Sequence, residues 1–287
     1  MNMPTAITGM KFIVEALVNL MFENSFAFGP LVLINFDTES PIDSFSYDII
    51  SAKKVGNRNR IGLRKIIEIS EINDVPFTFF STGHALLKEC KGHKLKVEVV
   101  KENTKYFRIG DYHWHFIDPA SNYIEYPEFY YGDLIDEIVK TGVKHEVASH
   151  SFSHIPYPLV DDETISTDLR MSVEAVSSHN LKLHSFAFPY NLSGKFYSLS
   201  KFGIKACRVG HRTISPISLR DNVLVVKTSV TDLTENSMYA WPRMINLLTK
   251  RKSLLCWYLH PVTLADEKTV FFLMRLSNIL SANTFAF

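Results

Sequence analysis

Continuous apolar runs and helix-spaced apolar positions alternate along this chain. "PLVLINF" (30–36) is an unbroken apolar run after Gly29, which suits a strand buried on both faces. "VPFTFFS" (75–81) is a second such run, ended by Gly83. "HEVAS" (145–149), "LHSFAFP" (183–189), "GIKACRV" (203–209), "NVLVVKT" (222–228) and "LLCWYLH" (254–260) are five more strand candidates. Between them, "RIGLRKIIEISEIN" (60–73) places Ile61, Leu63, Ile66, Ile67 and Ile69 at helical spacing. "GDLIDEIVKTG" (132–142) reads as a helix closed by a C-terminal glycine. "DDETISTDLRMSVEAVSSH" (161–179) reads as a helix with acids at its start, where the helix dipole favours them.

Strand and helix in alternation predict right-handed crossovers and a mostly parallel sheet. Seven strands over this length predict an α/β fold, a distorted (β/α) barrel, formed as a single domain over 1–287. Residues 84–131 break the pattern. They show no period and carry Tyr106, Phe107, Tyr112, Trp114, Phe116, Tyr123, Tyr126, Phe129, Tyr130 and Tyr131. This aromatic-rich insertion is expected over the active face, either stacking on sugar rings or covering one end of the barrel. Residues 1–29 read as a helical extension. Within it "KFIVEALVNLMF" (11–22) is apolar but interrupted by Glu15 and Asn19, so an amphipathic helix fits better than a signal peptide or a span. Such a helix packs on the body or contacts a membrane surface. "TVFFLMRLSNIL" (269–280) has the same character.

Composition narrows the class. The 287 residues are 46% hydrophobic, enough for a large core, and the net charge of +1 gives no basic excess of the kind that marks a nucleic-acid binder. Cys90, Cys207 and Cys256 are far apart and form no CxxC pair, which argues against a disulfide framework and for a reducing compartment.

The chemistry-bearing residues gather at one place in this pattern. Asp37 and Glu39 follow "LVLINF", His150 and His154 follow "HEVAS", and His260 follows "LLCWYL". All lie at C-terminal ends of expected strands, where barrel enzymes carry their catalytic groups. The four-residue spacing of "HSFSH" would put both imidazoles on one face of a helical turn. Two histidines and a carboxylate leave open positions on a divalent ion for water and substrate. A second carboxylate can take the water's proton, and a further histidine can protonate a leaving group. The set describes metal-assisted hydrolysis of an amide or ester.

From about Leu31 to Pro261 the chain resembles the polysaccharide deacetylases of the NodB-homology type, carbohydrate esterase family four. "HEVASHSFSH" is similar to that family's second motif, "LINFDTES" to its first, "FAFPYN" (186–191) to its third and "WYLHP" (257–261) to its last. The resemblance implies Asp37 as catalytic base, His150 and His154 as metal ligands, and His260 as general acid. It implies a divalent ion, zinc first, with cobalt, nickel or iron as alternatives. Three departures stand out. The second aspartate of the first motif is Thr38, which shifts the metal carboxylate to Glu39. The third motif's arginine is Ala187, and Arg208 in "GIKACRVG" is the candidate to orient the base in its place. The glycines of the first and third motifs are Ser40 and Asn191. Tyr190, whose backbone N–H could face the oxyanion, Trp114 and Trp257 are candidates for substrate contact. The implied substrate is an N- or O-acetylated sugar in a surface polysaccharide, lipopolysaccharide or lipid-linked precursor. Without an export signal, a cytoplasmic location is expected, with association at the inner membrane face as a further option. A non-sugar amide hydrolase of the allantoinase-like type and a non-catalytic glycan binder are the alternatives.

Overall fold

A computed structural model describes residues 31–41, 48–92, 118–210, 217–231 and 254–281. Nine strands form one curled sheet in the order β6-β7-β5-β4-β3-β2-β1-β9-β8. They are β1 (Leu31–Thr38), β2 (Thr78–Ser81), β3 (Glu146–Ser149), β4 (Ser185–Ala187), β5 (Ala206–Val209), β6 (Ile217–Arg220), β7 (Val223–Lys227), β8 (Val230–Thr231) and β9 (Leu254–Leu259). All seven expected strands are present, and every pairing is parallel except β6 with β7. The fold is therefore the distorted (β/α) barrel that the alternating pattern indicates.

The two additional strands have local causes. β6 and β7 form a hairpin across Asp221 and Asn222, both left-handed at φ 49° and 63°. Two such residues build the turn whose twist matches paired antiparallel strands. β6 is half exposed, so its apolar pattern is weak. β8 contributes only two residues, beside Trp257 and Tyr258.

The described helices are α1 (Ile49–Asn73), α2 (Gly132–Lys140), α3 (Asp162–Ser177), α4 (Phe196–Lys201) and α5 (Glu267–Ser281). α1 begins eleven residues before its clear apolar period, capped by Asp48, which accepts the Ser51 N–H at 2.8 Å. α3 is capped in the same way by Asp161. α2 does not end on a left-handed glycine as expected. It stops at Lys140, and Thr141 leaves it at φ −59°, ψ 156°, so Gly142 closes no turn. α5 is the expected amphipathic C-terminal helix, burying Phe272, Leu273, Leu276 and Leu280. The expected helix at 11–22 lies outside the described residues, and no described helix is long and apolar enough to cross a membrane.

The insertion at 84–131 divides into two kinds of residue. Phe129, Tyr130 and Tyr131 are fully buried, and Tyr123 and Tyr126 pack against the same core. Phe129, Tyr130 and Tyr131 are thus wall and not platform, which sets aside sugar stacking for these three, while Tyr123 and Tyr126 stay partly exposed. Burying rings of this size removes far more apolar surface from water than leaving them at a rim would. Tyr106 through Phe116, with Trp114, lie outside the described residues.

α1 seats the end of β9. It packs along the helical turn Pro261–Ala265 that follows His260. At Gly62 the two backbones nearly touch, and a Cβ there would collide with the Pro261 carbonyl oxygen. Gly62→Ala is therefore expected to lower stability by about 1–3 kcal/mol through overpacking. It should also reduce any activity that needs His260 in place. Urea unfolding together with a turnover assay checks both effects.

Candidate active site

Parallel register brings the candidate residues to one edge. Thr38 pairs with Ser81, Ser81 with Ser149, Ser149 with Phe186, and Phe186 with Cys207. On the other side Phe36 pairs with Leu259. Asp37, His150, Arg208 and His260 thus end up within one residue step of the same level. Side chains alternate along a strand, so Asp37 and Glu39 face the same way while Thr38 turns to the opposite side. Phe80, Ala148 and Ala187 form a small apolar floor.

Asp37 is 3% exposed, and its carboxylate accepts two bonds from Arg208, Nη1 to Oδ1 and Nη2 to Oδ2, each 2.6 Å. This is the bidentate fork that guanidinium geometry favours. Arg208 is itself fixed: its Cζ lies 4.2 Å from the Tyr258 ring centre and 4.9 Å from that of Phe80. Burial alone would raise the Asp37 carboxyl. The Arg208 charge and hydrogen bonds, with His150 and His260, outweigh it and hold the pKa below the ordinary value. The ionised form is therefore the resident one. This pair's contribution to stability is complete above the ordinary carboxylate value of 3.8 and is lost as pH falls through the depressed folded value. In Arg208→Lys a point charge replaces the fork, so the Asp37 pKa rises. The acidic limb of kcat/KM is then expected to move to higher pH, which a pH–rate profile reads directly.

Three histidines surround Glu39. The Glu39 Oε1 atom lies 3.3 Å from His154 Nε2, 3.5 Å from His150 Nε2 and 3.7 Å from His260 Nε2. Burial would raise this carboxyl too, but the charges and bonds of His154, His150 and His260 hold it well below the usual range. The Glu39 backbone is pinned from α1, where Asn59 Nδ2 donates to its carbonyl oxygen at 3.1 Å. Ser40, standing where a glycine would be expected, is buried and donates its N–H to Thr82 Oγ1 at 3.3 Å.

The His150 Nδ1–H donates to the Ala187 carbonyl oxygen at 2.8 Å. A carbonyl only accepts, so Nδ1 carries a proton, and Nε2 is the ring atom turned toward Glu39. That is the arrangement of an imidazole prepared for a cation. Glu39, His150 and His154 each offer one donor atom, all within 4.8 Å of one another. Two imidazoles and a carboxylate fit a borderline divalent ion with open positions.

The segment between the histidines is not the helical turn that its spacing suggests. Ser151 and His154 are left-handed, at φ 69° and 54°, and the chain here is irregular. The cause is Asp168 on α3. It is fully buried and accepts four hydrogen bonds: the N–H of Phe152 (3.0 Å) and Ser153 (2.9 Å) and the hydroxyls of Ser151 (3.0 Å) and Tyr157 (3.0 Å). The Ser151 hydroxyl in turn accepts the Ile155 N–H at 3.1 Å. Burial pushes the Asp168 carboxyl up, opposed by these donors. A helical turn would spend those N–H groups within the backbone. Here the carboxylate takes them, and the loop can aim both imidazoles at one point. Sequence reading passed over Asp168. The available signal was an acid on the buried stripe Ile165, Asp168, Leu169, Ser172.

Tyr190 lies beside His154. It is partly exposed and left-handed at φ 57°, and its ring centre is 4.4 Å from that of His154. His260 stands at the rim with 29% of its side chain exposed. Trp257 is not at the site. It is fully buried on the other face of β9, against the Phe272 ring of α5. Alternation gives the site face to its neighbour Tyr258, whose hydroxyl accepts the Asn191 amide at 3.0 Å. Trp114 lies outside the described residues.

With this geometry in view, the comparisons can be read. The family model for polysaccharide deacetylases matches residues 60–205, just over half of the chain. The chain belongs to the polysaccharide deacetylase family. A structure from Mycobacterium smegmatis, provisionally named a polysaccharide deacetylase, shares the fold at 14% identity and a TM-score of 0.57, over 90% of this chain and 88% of that one. A family 4 carbohydrate esterase from Bacillus anthracis aligns at 14% identity and a TM-score of 0.49, over 96% and 88%. A family 4 pseudoenzyme from the same organism aligns at 14% and 0.44, over 86% and 61%. No curated protein gives a match.

Proposed function

We propose that this protein is a metal-dependent deacetylase acting on an acetylated sugar. The observation that carries the reading is the pairing of two sites a few ångströms apart: a cation pocket of Glu39, His150 and His154 beside a carboxylate held ionised by Arg208. Glu39, His150 and His154 would hold a divalent ion, zinc by the chemistry of the donors, which would supply Lewis acidity for attack by water on the acyl group. Asp37 accepts the proton of the attacking water. Its nearness to the pocket, 3.9 Å from His150 Nε2, puts it in reach. Arg208 takes the orienting role that Ala187 cannot perform. The Tyr190 backbone N–H faces the developing oxyanion. His260, partly exposed, passes a proton to the departing nitrogen or oxygen.

A second reading is a non-sugar amide hydrolase on the same scaffold. The observation in its favour is that the described insertion aromatics belong to the core or pack against it, while the tyrosines beside the site residues are Tyr190 and Tyr258. A substrate panel separates the two. N- and O-acetylated sugars and lipid-linked acetylated precursors are assayed for acetate, and small cyclic and linear amides for hydrolysis. Acetate release from a sugar supports the deacetylase. Hydrolysis of a non-sugar amide with every sugar inert would overturn it. Release from a lipid-linked precursor alone would support action at the inner membrane face.

A further inference from the structure

We propose a second cation site, built from His84, Cys90 and Asp118 and separate from the pocket around Glu39, that takes a zinc-like divalent ion. The three residues offer an imidazole, a thiol and a carboxylate whose donor atoms all lie within 4.8 Å of one another. His84 Nε2 is 3.0 Å and Cys90 Sγ 3.4 Å from the same atom, Asp118 Oδ2. Donors around a tetrahedral zinc ion, with bonds of about 2.0–2.3 Å, stand about 3.3–3.7 Å apart, so small side-chain shifts suffice. His84 is fully buried and Cys90 is 3% exposed.

The far oxygen of Asp118 is already braced. Its Oδ1 accepts the Tyr130 hydroxyl at 2.6 Å and the Ala120 N–H at 3.1 Å. Outer bonds of this kind orient a ligating carboxylate. Cys90 also lines a cavity of about 330 Å³ with Leu87, Phe152 and Met171.

The charges balance. In the ion-free protein the His84 N–H and the Cys90 S–H both point at Oδ2. Burial disfavours a charged His84, but its bonds to Asp118 and Cys90 prevail and raise its pKa to about 9. When the ion binds, the His84 Nε2 proton and the Cys90 thiol proton leave to solvent, and nitrogen and sulfur each form a bond to the metal. Two protons leave and one divalent ion enters, so the net charge of the buried cluster is unchanged. One thiolate and one imidazole select a borderline-soft ion over magnesium or calcium.

The site would join the turn after β2 to Asp118. That turn backs the histidine loop, since the N–H groups of Gly83 and His84 donate to the carbonyls of Ser151 (2.9 Å) and Phe152 (3.1 Å).

Cobalt(II) titration of the metal-stripped full chain tests this, because the pocket around Glu39 contains no sulfur. The expected result is a thiolate-to-cobalt charge-transfer band in the near ultraviolet. It should survive in His150→Ala and vanish in Cys90→Ser, with one equivalent of cobalt lost in the latter. Absence of a thiolate band from the wild-type protein at saturating cobalt would overturn the proposal. Persistence of the band in Cys90→Ser would also overturn it. Should Cys90→Ser fail to fold, the wild-type and His150→Ala spectra and Asp118→Asn, expected to weaken cobalt binding at this site, still decide.

Discussion

Asp37→Asn is expected to lower turnover by about 10²–10⁴-fold, the usual worth of a positioned general base, while the protein still binds metal. Asparagine keeps the shape of the side chain, and Asp37 is not among the three residues that form the cation pocket. It lacks the negative charge that takes a proton and that pairs with Arg208. The buried guanidinium then loses its counter-charge, and breaking a buried pair from one side costs about 3–5 kcal/mol. The variant should therefore melt earlier as well as turn over slowly. Metal content by mass spectrometry, turnover and thermal unfolding are read on one preparation. Turnover near the wild-type rate would remove Asp37 from the role of base.

The second large effect lies away from the reacting atoms. Asp168→Ala leaves the N–H groups of Phe152 and Ser153 and the hydroxyls of Ser151 and Tyr157 without their shared acceptor. An orphaned buried donor costs about 1–3 kcal/mol, so a loss of about 3–5 kcal/mol is expected once partial relaxation is allowed for. Those bonds also hold Ser151 and His154 left-handed, an unfavourable conformation for a residue with a Cβ. Without Asp168 the loop relaxes and the two imidazoles no longer converge. Urea unfolding should show the stability loss, and metal titration should show weakened binding at neutral pH. Unchanged metal affinity in a folded Asp168→Ala protein would show that the loop holds its shape by other means.

The comparison between sequence and structure follows the range of the interactions. β1, β2 and β9 were legible as apolar runs between breakers, the signature of a strand buried on both faces, and the other four as shorter apolar segments between helical ones. β6 was not, since its half-exposed residues give no such run, although Asp221-Asn222 was a readable turn signal. The gathering of Asp37, Glu39, His150, His154 and His260 was legible from strand ends alone, because parallel register places those ends on one edge. Arg208 was visible as a candidate, but its fork to a residue 171 positions away is a tertiary fact. Trp257 was misplaced for want of applying alternation: His260 and Tyr258 share a face, and Trp257 takes the other. The helical reading of "HSFSH" failed because spacing constrains two side chains only if the backbone between them is regular. Here a buried carboxylate from another element decides the backbone.

The central claim is that Glu39, His150 and His154 hold a divalent ion without which the chemistry does not proceed. The most direct measurement is acetate release from the responsive acetylated sugar by the native protein, after chelation, and after stepwise return of zinc. The account predicts release that is lost on chelation and recovers in proportion to zinc, while His150→Ala fails to recover at any zinc concentration. Release that survives complete metal removal, or that recovers equally in His150→Ala, would contradict it.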